Sequence, residues 1–308
     1  MIPAIVTDEL SGDPVTAFEL GREWGVSHFE LRGVFDARVP RLLPHLRRRL
    51  VQAVREFGVT VTALSPGLFK CPFPGDAPAS SNLGWMERGY FETWDNLRST
   101  VDDHLRRLLP ESIELALEVG ARSLIAFGFS RGGMPAGPAP SGAIEALAEA
   151  AEVAGKAGLS LLVETEEGFW ADTGARSAAL IERIGNPSLG INWDPANALI
   201  EGDVPFPDGY GAVRPHVRNV HFKDARRYPN GSWELLAEGD VDWWGQIAAL
   251  HADNYSGPIA VEPHLAPSVA STRAALDRLR SLIEAAKARG GQGEKSFNQT
   301  VENISRKG

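Results

Sequence analysis

Four apolar runs of strand length end in, or just after, a side chain that can hold a metal ion or carry a proton. LSLLVE closes on Glu164, LGINWD on Asp194 and IAVE on Glu262, while VRNVHF carries His221 one residue before its end. Each polar group interrupts or closes a segment that is otherwise apolar and bound for the interior. Burying three carboxylates together is prohibitive unless a cation neutralises them or some are protonated. A bound metal ion meets that demand. Three carboxylates and one imidazole suit a divalent ion taking five or six ligands, such as Mn²⁺, Mg²⁺ or Co²⁺; Zn²⁺ is an alternative more often met with additional His or Cys ligands. Taken singly, a strand-end acid is more often a cap for the next helix and a lone His a hydrogen-bonded structural residue. Four such residues on four successive strands, all at the same end, point to one shared site.

The elements that must position these residues alternate in type. Strand candidates are Ile2–Val6, Val26–Leu31, Val59–Leu64, Arg122–Phe127, Leu159–Val163, Ser188–Trp193, Val217–Phe222 and Pro258–Val261. Between them lie helix candidates at Pro14–Trp24, Pro40–Phe57, Trp94–Val119 (broken at Pro110), Gly142–Ala157, Thr173–Ile184, Trp243–His251 and Ser268–Ala288, several closed by a glycine. The stretch Pro195–Pro215, rich in Pro and Gly, is expected to hold only short helical turns. Strands alternating with helices imply parallel pairing through right-handed crossovers, and eight such units are what a single-domain α/β protein of the (β/α)8 TIM-barrel type requires. A doubly wound open sheet would carry a glycine-rich phosphate turn after an early strand, and neither GxGxxG nor GxxxxGK[ST] occurs. The barrel is expected over residues 1–289, followed by a polar tail at 290–308 that is read as mobile or as an oligomer arm. The long connection from Ser65 to about Glu92 is expected to act as a lid or substrate loop.

Composition excludes several classes. Of 308 residues, 43% are hydrophobic and 23% charged, and no apolar run reaches membrane-spanning length. The N-terminus has no basic segment ahead of its apolar stretch, so a cytoplasmic location is expected. The single Cys71 excludes an intrachain disulfide, a cysteine zinc site and a CxxC pair. With 40 Asp and Glu against 31 Lys and Arg, the formal charge of −9 disfavours nucleic acid as a partner.

Several segments together resemble the sugar isomerase/epimerase superfamily with the xylose isomerase-like barrel. They are Val163-Glu164-Thr165, Asn192 to Asn197 (NWDPAN), Val220 to Ala225 (VHFKDA) and Val261-Glu262-Pro263-His264, joined by GDVDW at 239–243 and Phe29-Glu30-Leu31-Arg32. The resemblance covers most of residues 1–288 and implies one divalent metal, commonly Mn²⁺, held by Glu164, Asp194, His221 and Glu262. It also implies that the two glutamates act as an acid/base pair on opposite faces of a carbohydrate substrate. The family often places a His three residues after the strand-six Asp; here that position is Asn197, which alters the substrate contact. The Arg six residues after the strand-seven His in ketose epimerases has a counterpart in Arg227, with Arg226 beside it.

Other candidates come from the residues alone. Alternation puts His28, Glu30 and Arg32 on one strand face, the barrel interior if Glu30 supports the metal ligands. Arg32 is then placed to hold a substrate hydroxyl or carboxylate, with an ion pair to Glu30 or another barrel acid as the competing role. Lys70 is a candidate to reach the pocket from its loop, against the plain reading of a solvated lysine. His264 shares the face of Glu262 beyond the strand, where it contacts substrate or caps the last helix. Trp170, Trp193 and Phe69 are read as walls for a sugar or aglycone, or as core. The chemistry that fits is removal of a proton α to a carbonyl, giving an enediolate. Return of that proton to the other face is epimerisation; its transfer to the neighbouring carbon is aldose–ketose isomerisation. Loss of a β-hydroxyl instead makes the protein a lyase or dehydratase of a keto-sugar, inosose or 3-keto-glycoside. A DNA-repair endonuclease on the same barrel is disfavoured by the 7 histidines and the negative charge.

Overall fold

Each short leucine-, isoleucine- and valine-rich run forms a strand, and the amphipathic stretches between them form helices. The computed structural model describes residues 1–73 and 97–305. The barrel strands are β1 (Ile2–Val6), β2 (His28–Leu31), β3 (Thr60–Leu68), β4 (Ser123–Phe127), β5 (Ser160–Glu164), β6 (Leu189–Trp193), β7 (Val217–Phe222) and β8 (Pro258–Val261). Every neighbour is parallel, and β8 pairs with β1 to close the barrel. The outer face of the strands packs against the helices in one continuous apolar core. Gly58, Gly120 and Gly185 end their helices in the left-handed region, with φ of 57°, 72° and 63°. No helix among the described residues is long and apolar enough to cross a membrane.

The inner face of the barrel departs from the usual filling of branched side chains. The small residues Ala4, Val6 and Ala260 form their own buried cluster. The space they leave is taken by the buried polar side chains of Glu30, Asn192, Asn219 and His221. Register follows the same plan: Val6 lies opposite Glu30, Ala260 opposite His221, and Asn192 between Glu164 and Asn219.

The structure departs from the sequence expectation at Pro110 and adds elements elsewhere. The helix does not break at Pro110: a π-helical segment, His104–Leu108, runs directly into the helix Leu109–Val119. The carbonyl of Arg106, four residues ahead of the proline ring, thus lies in a wider turn that relieves the clash Pro creates in an α-helix. Two antiparallel hairpins, Gly33–Val34 with Ala37–Arg38 and Asp224–Arg227 with Trp233–Leu236, are added to the barrel. The segment expected to be polar tail continues the last helix, Ser268–Ser305, since no proline interrupts it. Of the expected lid at 65–92, β3 takes up the part to Leu68, and residues 74–92 lie outside the described residues. The Pro195–Pro215 stretch holds short helices, as its composition predicts.

Candidate active site

The ends of β5 to β8 bring Glu164, Asp194, His221 and Glu262 together, all buried, with one ligand atom from each lying within 4.8 Å of the others. His221 Nδ1 is the hub: it stands 3.3 Å from Glu164 Oε1, 3.1 Å from Glu262 Oε2 and 3.9 Å from Asp194 Oδ2. Its orientation comes from below. Glu30 places its carboxylate 3.1 and 3.2 Å from His221 Nε2, so Nε2–H donates to Glu30 and Nδ1 is aimed at the cluster. Glu30 is fixed in turn by Asn219 Nδ2, which donates to its Oε2 at 3.1 Å and to Asn192 Oδ1 at 2.9 Å.

Asp194 fills both roles that a strand-end acid can take. Its Oδ1 accepts from the backbone N–H of Ala196 and Asn197, both at 3.0 Å, capping the helix Pro195–Glu201, which has Pro195 at its first turn. Its Oδ2 is buried and lacks a hydrogen bond of proper angle, although Lys223 Nζ makes an ion-pair contact with it at 2.8 Å.

Electrostatics describe a cluster that requires positive charge. Burial works against a charged His221, yet Glu262, Glu30 and Glu164 around it raise its pKa well above the ordinary value. Burial likewise opposes ionisation of Glu262, which His221, His264, Lys223 and Arg32 hold well below the usual carboxylate range. Burial pushes the Asp194 carboxyl up. The donor set therefore fits a divalent cation: an orphaned carboxylate oxygen, an imidazole nitrogen aimed by an outer carboxylate, and two further carboxylates. Binding of the cation would take over the charge that a proton on His221 Nδ1 supplies and would release that proton.

A cavity of about 410 Å³ opens above the cluster. Of the four residues, Glu164 and Glu262 line it, whereas Asp194 and His221 do not. Arg32, Lys70, Asn197 and His264 line it as well. Arg32 is engaged by carboxylates: Nε lies 2.9 Å from Asp8, Nη2 lies 2.9 Å from Glu9, and Nη1 pairs with Glu262. The competing ion-pair role is thus present, with Asp8, Glu9 and Glu262 in the place expected of Glu30. Lys70 reaches inward, 3.0 Å from Glu166 Oε1 and 4.5 Å above the Phe127 ring. Asn197 donates to Thr165 O and Glu166 Oε2 at 3.0 and 2.9 Å. His264 Nδ1 lies 2.7 Å from Glu9 and its Nε2 3.5 Å from Glu262. Arg227 is not brought to the cavity: it is exposed, and its Nε donates to Ile200 O at 3.0 Å. Trp193 and Phe69 are fully buried core, and Trp170 is buried away from the cavity.

Lys223, Glu166 and Glu167 also line the cavity, and the sequence reading passed over them as site residues. Period-2 alternation, continued one residue past the end of β7, carries the signal for Lys223, two residues after His221. Glu166 and Glu167 sit in an irregular turn, where no periodicity points. Glu167 has no hydrogen bond or ion pair among the described residues. Burial, reinforced by the Glu166 carboxylate, pushes its carboxyl up to about 7, against the opposing pull of Lys223 and Lys70. An unfolded glutamate ionises near pH ~4.3, so stability drains away as pH rises from that value through the folded one. Glu167→Gln cannot ionise and is expected to melt higher than the unaltered chain at pH 8, by about 2 °C or more, with no gain at pH 4. Paired thermal scans at the two pH values check this.

A family model described as xylose isomerase-like TIM barrel matches residues 18–284. Among solved structures, a xylose isomerase domain protein from Planctomyces limnophilus is 21% identical, with a TM-score of 0.67 over 93% of this chain and 98% of that one. An L-ribulose 3-epimerase is 19% identical, with a TM-score of 0.66 over 95% and 98%. A Bacillus anthracis protein described as a probable 3-DHS dehydratase is 15% identical, with a TM-score of 0.64 over 91% and 99%. No curated protein sequence matches.

Proposed function

The chain belongs to the xylose isomerase-like TIM barrel family, and from that premise we propose that it is a divalent-metal-dependent isomerase or epimerase of a sugar or keto-sugar. One observation carries the reading: the two glutamates of the buried quartet line the cavity, while its aspartate and histidine do not. Two carboxylates of a single cluster are thereby offered to a bound molecule, as removal and return of a proton on carbon require. When bound, the ion, Mn²⁺ first among Mn²⁺, Mg²⁺, Co²⁺ and Zn²⁺, supplies the charge that polarises a carbonyl.

The side chains divide the remaining work. Glu164 or Glu262 takes the proton from the carbon next to the carbonyl, and the other returns one to the opposite face or to the neighbouring carbon. Lys223, in contact with Asp194 and Glu262, donates a hydrogen bond to a substrate oxygen. Arg32 grips Glu262 Oε1 and so keeps Oε2 directed inward. His264, Asn197 and Lys70 contact the outer hydroxyls. Epimerase and dehydratase structures share this fold, and one feature favours a lyase as the second reading. Glu167, without a partner among the described residues and with its carboxyl pushed up to about 7, is able to give a proton to a departing β-hydroxyl.

Metal-loaded protein incubated in D₂O with ketoses, inososes and 3-keto-glycosides tests the proposal by NMR. Deuterium at the α-carbon with a new epimer or isomer is the expected result. An eliminated product selects the lyase, and no α-deuteration of any compound rejects both readings.

A further inference from the structure

The hairpin after β7 carries an apolar face that nothing in the proposed chemistry uses. Its register pairs Ala225 with Leu235 and Arg227 with Trp233, so these four share one face, while Arg226 and Glu234 share the other. Trp233 and Leu235, together with Ile200, line the cavity that also holds Glu164 and Glu262. Trp233 nonetheless remains 43% exposed.

Among the described residues, the other exposed tryptophan, a half-buried one and a phenylalanine lining the cavity each lie under a cation. Trp244 lies under Arg289 at 4.4 Å, Trp24 under Arg273 at 5.3 Å and Phe127 under Lys70 at 4.5 Å. Trp233 has two arginines close at hand, but Arg227 is drawn to Ile200 O at 3.0 Å and Arg226 to Asp240 at 3.1 Å. No ring or cation covers Trp233 among the described residues. An open indole and a half-buried leucine, backed by the buried Ile200, thus line the same cavity as the charged cluster, and a bare polyol would leave the indole against water.

We propose that Trp233, Leu235 and Ile200 form a subsite for a flat apolar substituent carried by the substrate, so that the compound accepted is a carbohydrate bearing an aromatic or similarly planar group. The assignment rests on the reading that the charged end takes the carbohydrate portion. The cavity falls within the roughly 300–1,000 Å³ usual for ligand sites, and the substituent gains from removing apolar surface from water and from offset stacking on the indole.

Calorimetric titration of the full metal-loaded chain with p-nitrophenyl glycosides of glucose, galactose and xylose, each against its free sugar, tests this. At least one aryl glycoside is expected to bind roughly 10- to 100-fold more tightly than its sugar, the equivalent of burying one apolar side chain. Trp233→Ala should abolish the advantage while leaving free-sugar affinity unchanged, Trp233→Phe should restore most of it, and Trp244→Ala should have no effect. Equal affinity within every pair, or no binding by any aryl glycoside, overturns the subsite. So does an advantage that survives Trp233→Ala, or a sedimentation change in that variant without any change in preference, which would make the ring a contact between copies of the chain. The outcomes separate cleanly from the reaction itself. An aryl preference without α-deuteration contradicts the proposed chemistry alone, and α-deuteration without the preference contradicts the subsite alone.

Discussion

Glu164→Gln and Glu262→Gln are each expected to lower turnover by a factor of roughly 10²–10⁴, the range for loss of a general acid or base. Glutamine keeps the size and one acceptor oxygen of glutamate but cannot take a proton. Both variants should fold. Glu164 closes β5 at the rim of the barrel, and Arg32 retains Asp8 and Glu9 as partners when Glu262 is neutral. The two substitutions should differ in which proton they block. In an epimerase each suppresses solvent exchange from one face of the α-carbon; in a lyase only one of them abolishes α-deuteration. Deuterium incorporation by NMR together with turnover distinguishes these cases, and undiminished turnover in both variants rejects proton transfer by this pair.

Removal of Asp194 or His221 should act on the metal before it acts on the chemistry. Loss of an outer partner such as Glu30 is expected to weaken metal affinity by roughly 10–100-fold. Asp194→Ala and His221→Ala, which remove donors themselves, should exceed that. Asp194→Ala also uncaps the helix Pro195–Glu201, a loss of about 0.5–2 kcal/mol. Asp194→Asn separates the two effects, since its amide oxygen can keep the cap at Oδ1 while the charge disappears. Competition with a chromogenic chelator gives the affinities, and thermal scans report the cap. Wild-type affinity in His221→Ala would remove the imidazole from the ligand set.

The barrel and the buried quartet that could hold a metal were legible because both rest on periodicity. Eight alternating runs predict eight strands, and a polar residue closing an apolar run is conspicuous at Glu164, Asp194 and Glu262. Glu30 was readable for the same reason, since alternation places it inward with Arg32. Residues whose positions depend on irregular backbone were not. Glu166 and Glu167 lie in a turn, Glu9 follows a strand, and Trp233 sits on a hairpin inserted after β7; period and spacing carry no information about what such segments face. Arg227 shows the converse. Its spacing from His221 matches a family pattern, and it shares the hairpin face of Trp233, yet its Nε is bonded to Ile200 O and it does not line the cavity. Of the two readings open for the aromatics, Trp193 and Phe69 answer to the core, and the tryptophan that lines the cavity, Trp233, sits on the inserted hairpin.

The central claim joins one buried metal site to removal of a proton from carbon, and its most direct test is the rate of α-deuteration as a function of metal loading. Protein stripped of metal and titrated with Mn²⁺ in D₂O, with a keto-sugar that exchanges, should gain exchange rate in proportion to bound ion and level off at one ion per chain. Exchange at the full rate in the stripped protein, or a plateau that Asp194→Ala and His221→Ala reach at the same ion concentration as the unaltered chain, would contradict it.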